Sequence, residues 1–422
     1  MSKAIVICPF WGDLSNVGRP RVERFVRWLY EAGYSVVIVR AGARDDCHDT
    51  DWGAEITVRD PLGLYGAGSA PSGGARRRQW IPAGFRRWVA DTLFLPEPTI
   101  VWAARVARSS VVQAAASKAS WVLSSSPPES AHVAALRVSR KVSAPLLVDM
   151  RDGWVDEPLR PALATSRLRQ WFEGRQERGV LLHASRVLVT SDGWQRMLEK
   201  RLPFVRGRVR VLTNAYPQKM PEPQELLSSG RSDGRLVLLH SGRFTGSSPS
   251  RMAGSLLDVL LSAASSQQPA DIVAVGRMRP ADEAQIAAFC PRFEAQNWRL
   301  RSAQPVAREE ALRLIQQADG LLLLSTSEAA VPSKFFEYMA ARRPILVLTP
   351  RDSAVWRIAK NLRQAYLVDS LDRGAGIYTV REFLRAAAGS QTHYDLPAEF
   401  TEQSLQSAFL SHLNRGNQVH DH

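Results

Sequence analysis

Residues 320–348 spell out one strand–loop–helix–strand unit, and no other part of the chain restricts the fold as much. The run Gly320–Leu324 is apolar and ends in Ser325-Thr326-Ser327. Val331-Pro332-Ser333-Lys334-Phe335-Phe336-Glu337-Tyr338-Met339-Ala340 follows, then Arg343-Pro344-Ile345-Leu346-Val347-Leu348. A loop of small residues feeding a helix N-terminus at the carboxyl end of a parallel strand is a place where anionic ligands bind. A lysine and a glutamate on the first helical turns stand beside such a ligand. The lysine can hold phosphate and the glutamate can accept hydrogen bonds from sugar hydroxyls, so the unit points to a nucleotide-sugar site.

The same alternation runs along the whole chain and implies an α/β class with a mostly parallel sheet. In the first half, strands are expected at Ala4–Ile7, Ser35–Val39, Trp121–Ser125, Leu146–Asp149, Arg186–Ser191 and Val209–Leu212. Helices are expected at Arg21–Gly33, from Glu129 to about Val142, from Ser166 to about Leu182, and from an Asp192 cap to Leu202. Residues 217–234, crowded with Pro, Gln, Glu, Ser and Gly, read as a linker. In the second half, strands are expected at Leu236–His240, Asp271–Val275, Gly320–Leu324 and Pro344–Leu348, with weaker ones near 298–302 and 366–368. This gives an N-terminal domain over 1–216 and a C-terminal domain over 235–396. An amphipathic helix over 397–415 and a tail over 416–422 complete the chain. Two such domains joined by a linker bring the carboxyl ends of both sheets to one cleft, the default place for a substrate.

Composition narrows the function class. With 55 Lys and Arg against 41 Asp and Glu, the net charge is +14. That draws the protein to polyanions: nucleic acid, anionic lipid or phosphorylated substrates. No zinc-finger spacing, RNA-binding aromatic motif or basic repeat is present, which disfavours nucleic acid. The three cysteines, Cys8, Cys47 and Cys290, show no disulfide or metal-ligand spacing, so a reducing compartment is expected. No apolar run is long enough to cross a membrane. The expected location is cytoplasmic, with peripheral attachment at the inner membrane face as a variant of it. Arg76-Arg77-Arg78-Gln79-Trp80 and Phe85-Arg86-Arg87-Trp88 suit an anionic membrane surface, or equally a solvated basic loop.

Several short segments, in order, resemble the GT-B glycosyltransferases, and among them family 4. They are Asn16-Val17-Gly18-Arg19, Leu95-Pro96-Glu97-Pro98 with Trp102, and Ser124-Ser125-Ser126-Pro127-Pro128-Glu129-Ser130-Ala131-His132. Asp149-Met150-Arg151-Asp152-Gly153-Trp154, Val211-Leu212-Thr213-Asn214-Ala215-Tyr216 and Ser241-Gly242-Arg243-Phe244 follow, and the 331–340 stretch completes the set. The resemblance implies a GT-B fold: two Rossmann-like, doubly wound domains facing each other across a cleft. It implies a retaining hexosyltransferase of polysaccharide or glycolipid assembly, exopolysaccharide included. Such an enzyme takes a nucleotide diphosphate sugar as donor, needs no cofactor, and uses a glycan or lipid-linked acceptor. Arg243 and Lys334 then stabilise the leaving diphosphate, with His132 and Asp152 on the acceptor side. Gly242, Arg243, Arg251, Ser333, Lys334, Glu337, Glu328 and Gly18 line the donor. The resemblance also implies that no metal is required.

The chain departs from the family in three places. Ala329, with Glu328 beside it, stands where a first glutamate is often found. Pro249, with Arg251 nearest, stands where a lysine is expected after Arg243. Ala215 follows Asn214 where glycine is common. Each candidate also has a purely structural explanation. Arg243 could be a surface arginine after a strand, Glu337 a helix-dipole glutamate, His132 a core histidine, and Asp152 a capping aspartate. Arg151 could pair with Asp149 or with a phosphate. Phe335, Phe336 and Tyr338 read as core rather than stacking residues. Two other functions stay open: a nucleotide-sugar epimerase of the same fold, and a non-catalytic subunit that binds nucleotide sugar or glycan. A dinucleotide oxidoreductase is disfavoured, since no Gly-x-Gly-x-x-Gly follows a strand.

Overall fold

The computed structural model describes residues 2–14, 16–65, 95–157, 166–217, 219–222, 234–242, 252–372, 376–389 and 394–414. The basic stretch 76–88, most of the 217–234 linker, Arg243, Arg251 and the 416–422 tail lie outside the described residues. The chain divides into two compact units: Met1–Leu212 with Gln406–His422, and Thr213–Leu405.

The first unit runs β1 (Lys3–Ile7), α1 (Arg19–Glu31), β2 (Ser35–Gly42), β3 (Asp46–Thr50), β4 (Gly53–Arg59), α2 (Ile100–Arg108), α3 (Ser110–Ala116), β5 (Trp121–Ser126) and α4 (Ser130–Val142). It continues through β6 (Leu146–Met150), α5 (Arg167–His183), β7 (Arg186–Val189), α6 (Asp192–Arg201) and β8 (Val209–Val211). The sheet order is β3-β4-β2-β1-β5-β6-β7-β8, and every pairing is parallel except β3 with β4. Strand order therefore reverses between β1 and β5, which puts this sheet's switch point at their carboxyl ends.

Two helix starts differ from expectation. α1 begins at Arg19 rather than Arg21, because Pro20 fits the first turn, where its missing N–H leaves no bond unmade. α6 is capped by Ser191, whose hydroxyl accepts from the Trp194 N–H, so Asp192 is the first helical residue and not the cap.

The second unit runs β9 (Leu236–Ser241), α7 (Met252–Ala263), β10 (Ala270–Val275), α8 (Pro280–Glu294), β11 (Arg299–Ala303), α9 (Arg308–Gln317), β12 (Gly320–Leu324) and α10 (Ser333–Ala340). β13 (Ile345–Thr349), α11 (Ala354–Ala359), β14 (Ala365–Asp369) and α12 (Gly376–Ala388) complete it, and α13 (Glu402–Asn414) follows. The order β11-β10-β9-β12-β13-β14 is parallel throughout. It is the doubly wound order of Rossmann-like folds.

The uninterrupted apolar strands have a physical reason. Leu322 and Leu324 of β12 join Leu256, Leu260 and Phe383 in a core on one face of the sheet. Leu321 and Leu323 join Leu312, Phe335 and Val355 in a core on the other. With both faces covered by helices there is no solvent side to alternate toward. Leu321, Leu322 and Leu323 are fully buried, each contributing roughly 1.5–3 kcal/mol relative to an exposed position.

Candidate functional site

In the second unit strand order reverses between β9 and β12, so its crevice lies outside their carboxyl ends. Four segments converge there. β9 ends in His240 and Ser241 and turns at Gly242, where φ is +96°. The Gly242 N–H donates to the Val275 carbonyl at 2.7 Å. Opposite it, Gly276 has φ +153°, and a Cβ there would lie 2.6 Å from the Gly242 carbonyl oxygen. Only glycine permits backbones to approach this closely at that conformation.

β12 gives way to the Ser325–Ser327 loop, in which the Ser327 hydroxyl accepts from the Ala329 and Ala330 N–H groups at 3.2 and 2.9 Å. This turn buries Ala329 and leaves Glu328 exposed, with the Glu328 carbonyl accepting from the Ala354 N–H at 2.8 Å. The loop delivers Pro332 to the start of α10. Pro332 provides no side-chain cap, so the helix opens without a competing internal acceptor.

Lys334 is the centre of this arrangement. Its ammonium donates to the Ser241 carbonyl at 3.0 Å and lies 3.4 Å from His240 Nε2. It stands 3.8 Å from where a Cβ on Gly242 would be. His240 is fully buried, and its Nδ1 is 2.9 Å from the Leu322 carbonyl. A carbonyl only accepts, so Nδ1 carries the proton and Nε2 offers a lone pair to the lysine. Among the described residues the ammonium is thus held by two groups of β9. Desolvation pushes the Lys334 pKa down to about 8, with Glu337 pulling the other way. Glu337 sits one turn further along α10 and pairs with Arg308 at 2.8 Å. Burial raises its carboxyl pKa against the lowering effects of Arg308 and Lys334.

Phe335, Phe336 and Tyr338 are buried in the core, as expected. Tyr338 has a second task that its pattern did not reveal: its hydroxyl accepts from the Ser241 N–H at 2.7 Å and ties α10 to the end of β9. Ser333 is exposed at the helix start. The structure therefore brings Gly242, Ser333, Lys334 and Glu337 together. It adds His240, Gly276 and Arg308, which lie outside the 331–340 motif, and gives Tyr338, which lies inside it, the bond to β9.

The first unit holds the other candidates at the carboxyl edge of its sheet. Asp149 receives a fork from Arg21, with Nη2 at 2.8 Å, and a bond from the Ser125 hydroxyl at 2.7 Å. Arg21 Nη2 also donates to the Leu212 carbonyl at 2.8 Å, and the whole group is buried. Arg21, not Arg151, is therefore the partner of Asp149. Arg151 instead donates to the Ser126 and Pro127 carbonyls at 2.6 and 2.7 Å and lies 5.1 Å over the Phe10 ring. It fills the space beside Gly18, where a Cβ would overlap its guanidinium.

His132 on α4 is fully buried, with Nδ1 2.8 Å from the Ser124 hydroxyl and, among the described residues, no partner for Nε2. Desolvation pushes its pKa down to about 3, partly offset by Asp149, so the ring is neutral near pH 7. Asp152 is exposed. Desolvation raises its pKa, with Arg151 lowering it and Asp149 adding to the rise. Among the described residues no cluster of His, Cys, Asp or Glu is placed to hold a metal ion, and no helix is long and apolar enough to cross a membrane.

Residues 18–215 match the family described as "Glycosyl transferase 4-like domain". No curated protein matches the chain. Among solved structures it is similar to sucrose-phosphate synthase from Thermosynechococcus elongatus, with 13% identity, 99% of this chain and 98% of that one covered, and a TM-score of 0.61. It is similar to HepE from Anabaena in complex with UDP and glucose, with 12% identity, 98% and 100% covered, and a TM-score of 0.55. It is also similar to a putative UDP-N-acetylglucosamine 2-epimerase from Listeria monocytogenes, with 12% identity, 99% and 97% covered, and a TM-score of 0.52. At these identities the structural likeness establishes the fold, which is GT-B with two Rossmann-like domains.

Proposed function

We propose that the chain is a GT-B glycosyltransferase of the family 4-like kind, which performs a retaining, metal-independent transfer of a sugar from a nucleotide diphosphate donor to a hydroxyl of a lipid-linked or growing glycan. One observation carries the donor half: Lys334, the uncapped start of α10 and the Gly242–Gly276 backbone pair meet at the β9–β12 switch point. This is a cradle for a diphosphate, with a fixed cation, helix N–H groups and backbone close enough to touch. A fold neighbour crystallised with UDP and glucose supports the same donor class.

In the reaction the bond from the anomeric carbon to the diphosphate oxygen breaks, and one to the acceptor oxygen forms. The acceptor's proton passes to the departing phosphate oxygen, so no enzymic nucleophile is required. Negative charge grows on the diphosphate as the bond breaks. Cations already in place stabilise it more in the transition state than in the ground state. Lys334 has this role, together with Arg243, which follows Gly242 in the chain. Arg251 is its second cation.

Glu337 accepts from the ribose hydroxyls, sharing them with Arg308. Glu328 contacts the donor sugar. Neutral His132 offers Nε2 to a sugar hydroxyl, and Asp152 orients the acceptor hydroxyl. Gly18 keeps the turn before α1 open beside Arg151.

The test is transfer from a panel of nucleotide sugars, with released nucleoside diphosphate and product anomer both measured. The expected result is a retained anomer, turnover unchanged by a chelator, and a drop of roughly 10²–10³-fold in Lys334→Ala with the fold intact. Near-normal turnover in that variant removes the site assignment. The likeness to a putative 2-epimerase favours one rival, epimerisation of the donor itself. Conversion of the donor with no acceptor present would establish that reading instead.

A further inference from the structure

α5 is built inside out. The positions it buries include Glu173 and Glu177, alongside Val180 and Leu181. Glu173 pairs with Arg169 at 2.9 Å, and Glu177 with Arg201 at 2.7 Å. The positions it exposes carry Leu168, Trp171, Phe172 and Leu182, at 64%, 54%, 42% and 50% of full exposure. These lie at i, i+3, i+4 and i+14, so they form one stripe along the helix.

Arg175, seven residues after Leu168, lies on the same stripe with its guanidinium 5.1 Å over the Trp171 ring. Arg167 and Arg178 are also exposed, and Arg178 covers the Phe204 ring at 4.9 Å. Both carboxylates of the helix point inward, so its exposed surface carries arginines and no acid.

Scattered exposed apolar residues are ordinary, but a contiguous aromatic and leucine stripe bordered by cations marks a docking surface. Its charge selects the partner. A second copy of this chain would set arginines against arginines. An anionic bilayer supplies headgroup phosphates for the cations and an acyl boundary for the rings, the arrangement of helices that lie in the membrane plane. We propose that the Leu168–Trp171–Phe172 face of α5 docks the protein on an anionic lipid bilayer. Its aromatic side chains enter the interface, and Arg167, Arg175 and Arg178 lie among the headgroups. This surface is independent of the donor-site reading.

The test is co-sedimentation of the full chain with vesicles of phosphatidylcholine alone and of phosphatidylcholine mixed with phosphatidylglycerol. Wild type is expected to pellet with the mixed vesicles, to do so far less with phosphatidylcholine alone, and to be released by salt. A Trp171→Ser, Phe172→Ser double variant is expected to partition about tenfold more weakly or worse. Its thermal stability should be unchanged, since both side chains are exposed. Arg175→Gln and Arg178→Gln should each weaken partitioning by about fivefold. Double-variant pelleting equal to wild type, or no pelleting of wild type, overturns the proposal. So does concentration-dependent self-association, or binding to an acidic protein or nucleic acid, that the double variant abolishes while vesicle binding persists.

Discussion

Lys334 shows how much one residue depends on its neighbours. Its identity and position at a helix start are visible in the chain, and they imply a phosphate ligand. What sets its chemistry is His240, whose tautomer is fixed by a carbonyl of β12 and whose lone pair faces the ammonium. That pairing arises from the juxtaposition of β9, β12 and α10, so no motif within any one of them announces it.

The consequence is a pH dependence. Below about pH 8 Lys334 is charged, and under the proposed function it meets the donor's diphosphate directly. Above that, the free protein holds a neutral amine, and binding must take up a proton. Donor affinity should then fall by up to about tenfold per pH unit. In Lys334→Arg the guanidinium stays charged and the alkaline limb should be flat. Donor affinity measured across this range checks the claim; the same alkaline fall in both proteins would show that another group titrates.

At the scale of elements, strands buried on both faces are the legible part of the chain. β1, β2, β5, β6, β9, β10, β12 and β13 all carry apolar runs that stand out from their surroundings, and each lies where expected. β3 with β4 is the counterexample. Asp46–Thr50 is almost entirely exposed at the sheet edge, so no hydrophobic pattern marks it, and its antiparallel pairing adds a hairpin to a parallel sheet. The helices α2 and α3 were likewise not among the expected elements, because Ser109-Ser110 interrupts the apolar period between them. The 320–340 stretch was legible as a strand–loop–helix unit, but the backbone that faces it across the crevice was not. Gly276 lies at the end of β10, distant in sequence, and acquires its role only through strand pairing.

Its importance is testable. Gly276→Ala would place a Cβ 2.6 Å from the Gly242 carbonyl oxygen at a φ of +153°. It should cost about 1–3 kcal/mol of stability and weaken donor binding together. Denaturant titration and donor affinity measure the two effects. Loss of neither would mean that the two loops separate freely.

At the scale of the molecule, two doubly wound units arise from one alternating pattern, and the last helix from Gln406 onward groups with the first unit. Phe409 of α13 is fully buried, stacked on Phe25 of α1 at 4.7 Å and tilted against Trp28 at 5.6 Å. Phe409→Ala should therefore destabilise the first unit by about 3–5 kcal/mol. Hydrogen exchange should then quicken in β1, α1 and β5 while β9 and β12 keep their protection. Faster exchange in the second unit alone would contradict this.

The central claim is that the second unit holds a nucleotide diphosphate sugar at its switch point through Lys334. A ligand that binds only the native state raises thermal stability by mass action. The most direct measurement is a thermal-shift titration over nucleotide sugars, nucleoside diphosphates and dinucleotides, in wild type and in Lys334→Ala. Wild type is expected to be stabilised by at least one nucleotide sugar and its nucleoside diphosphate and not by dinucleotides, and the variant little or not at all. An equal shift in both proteins, or no shift with any nucleotide sugar, would contradict it.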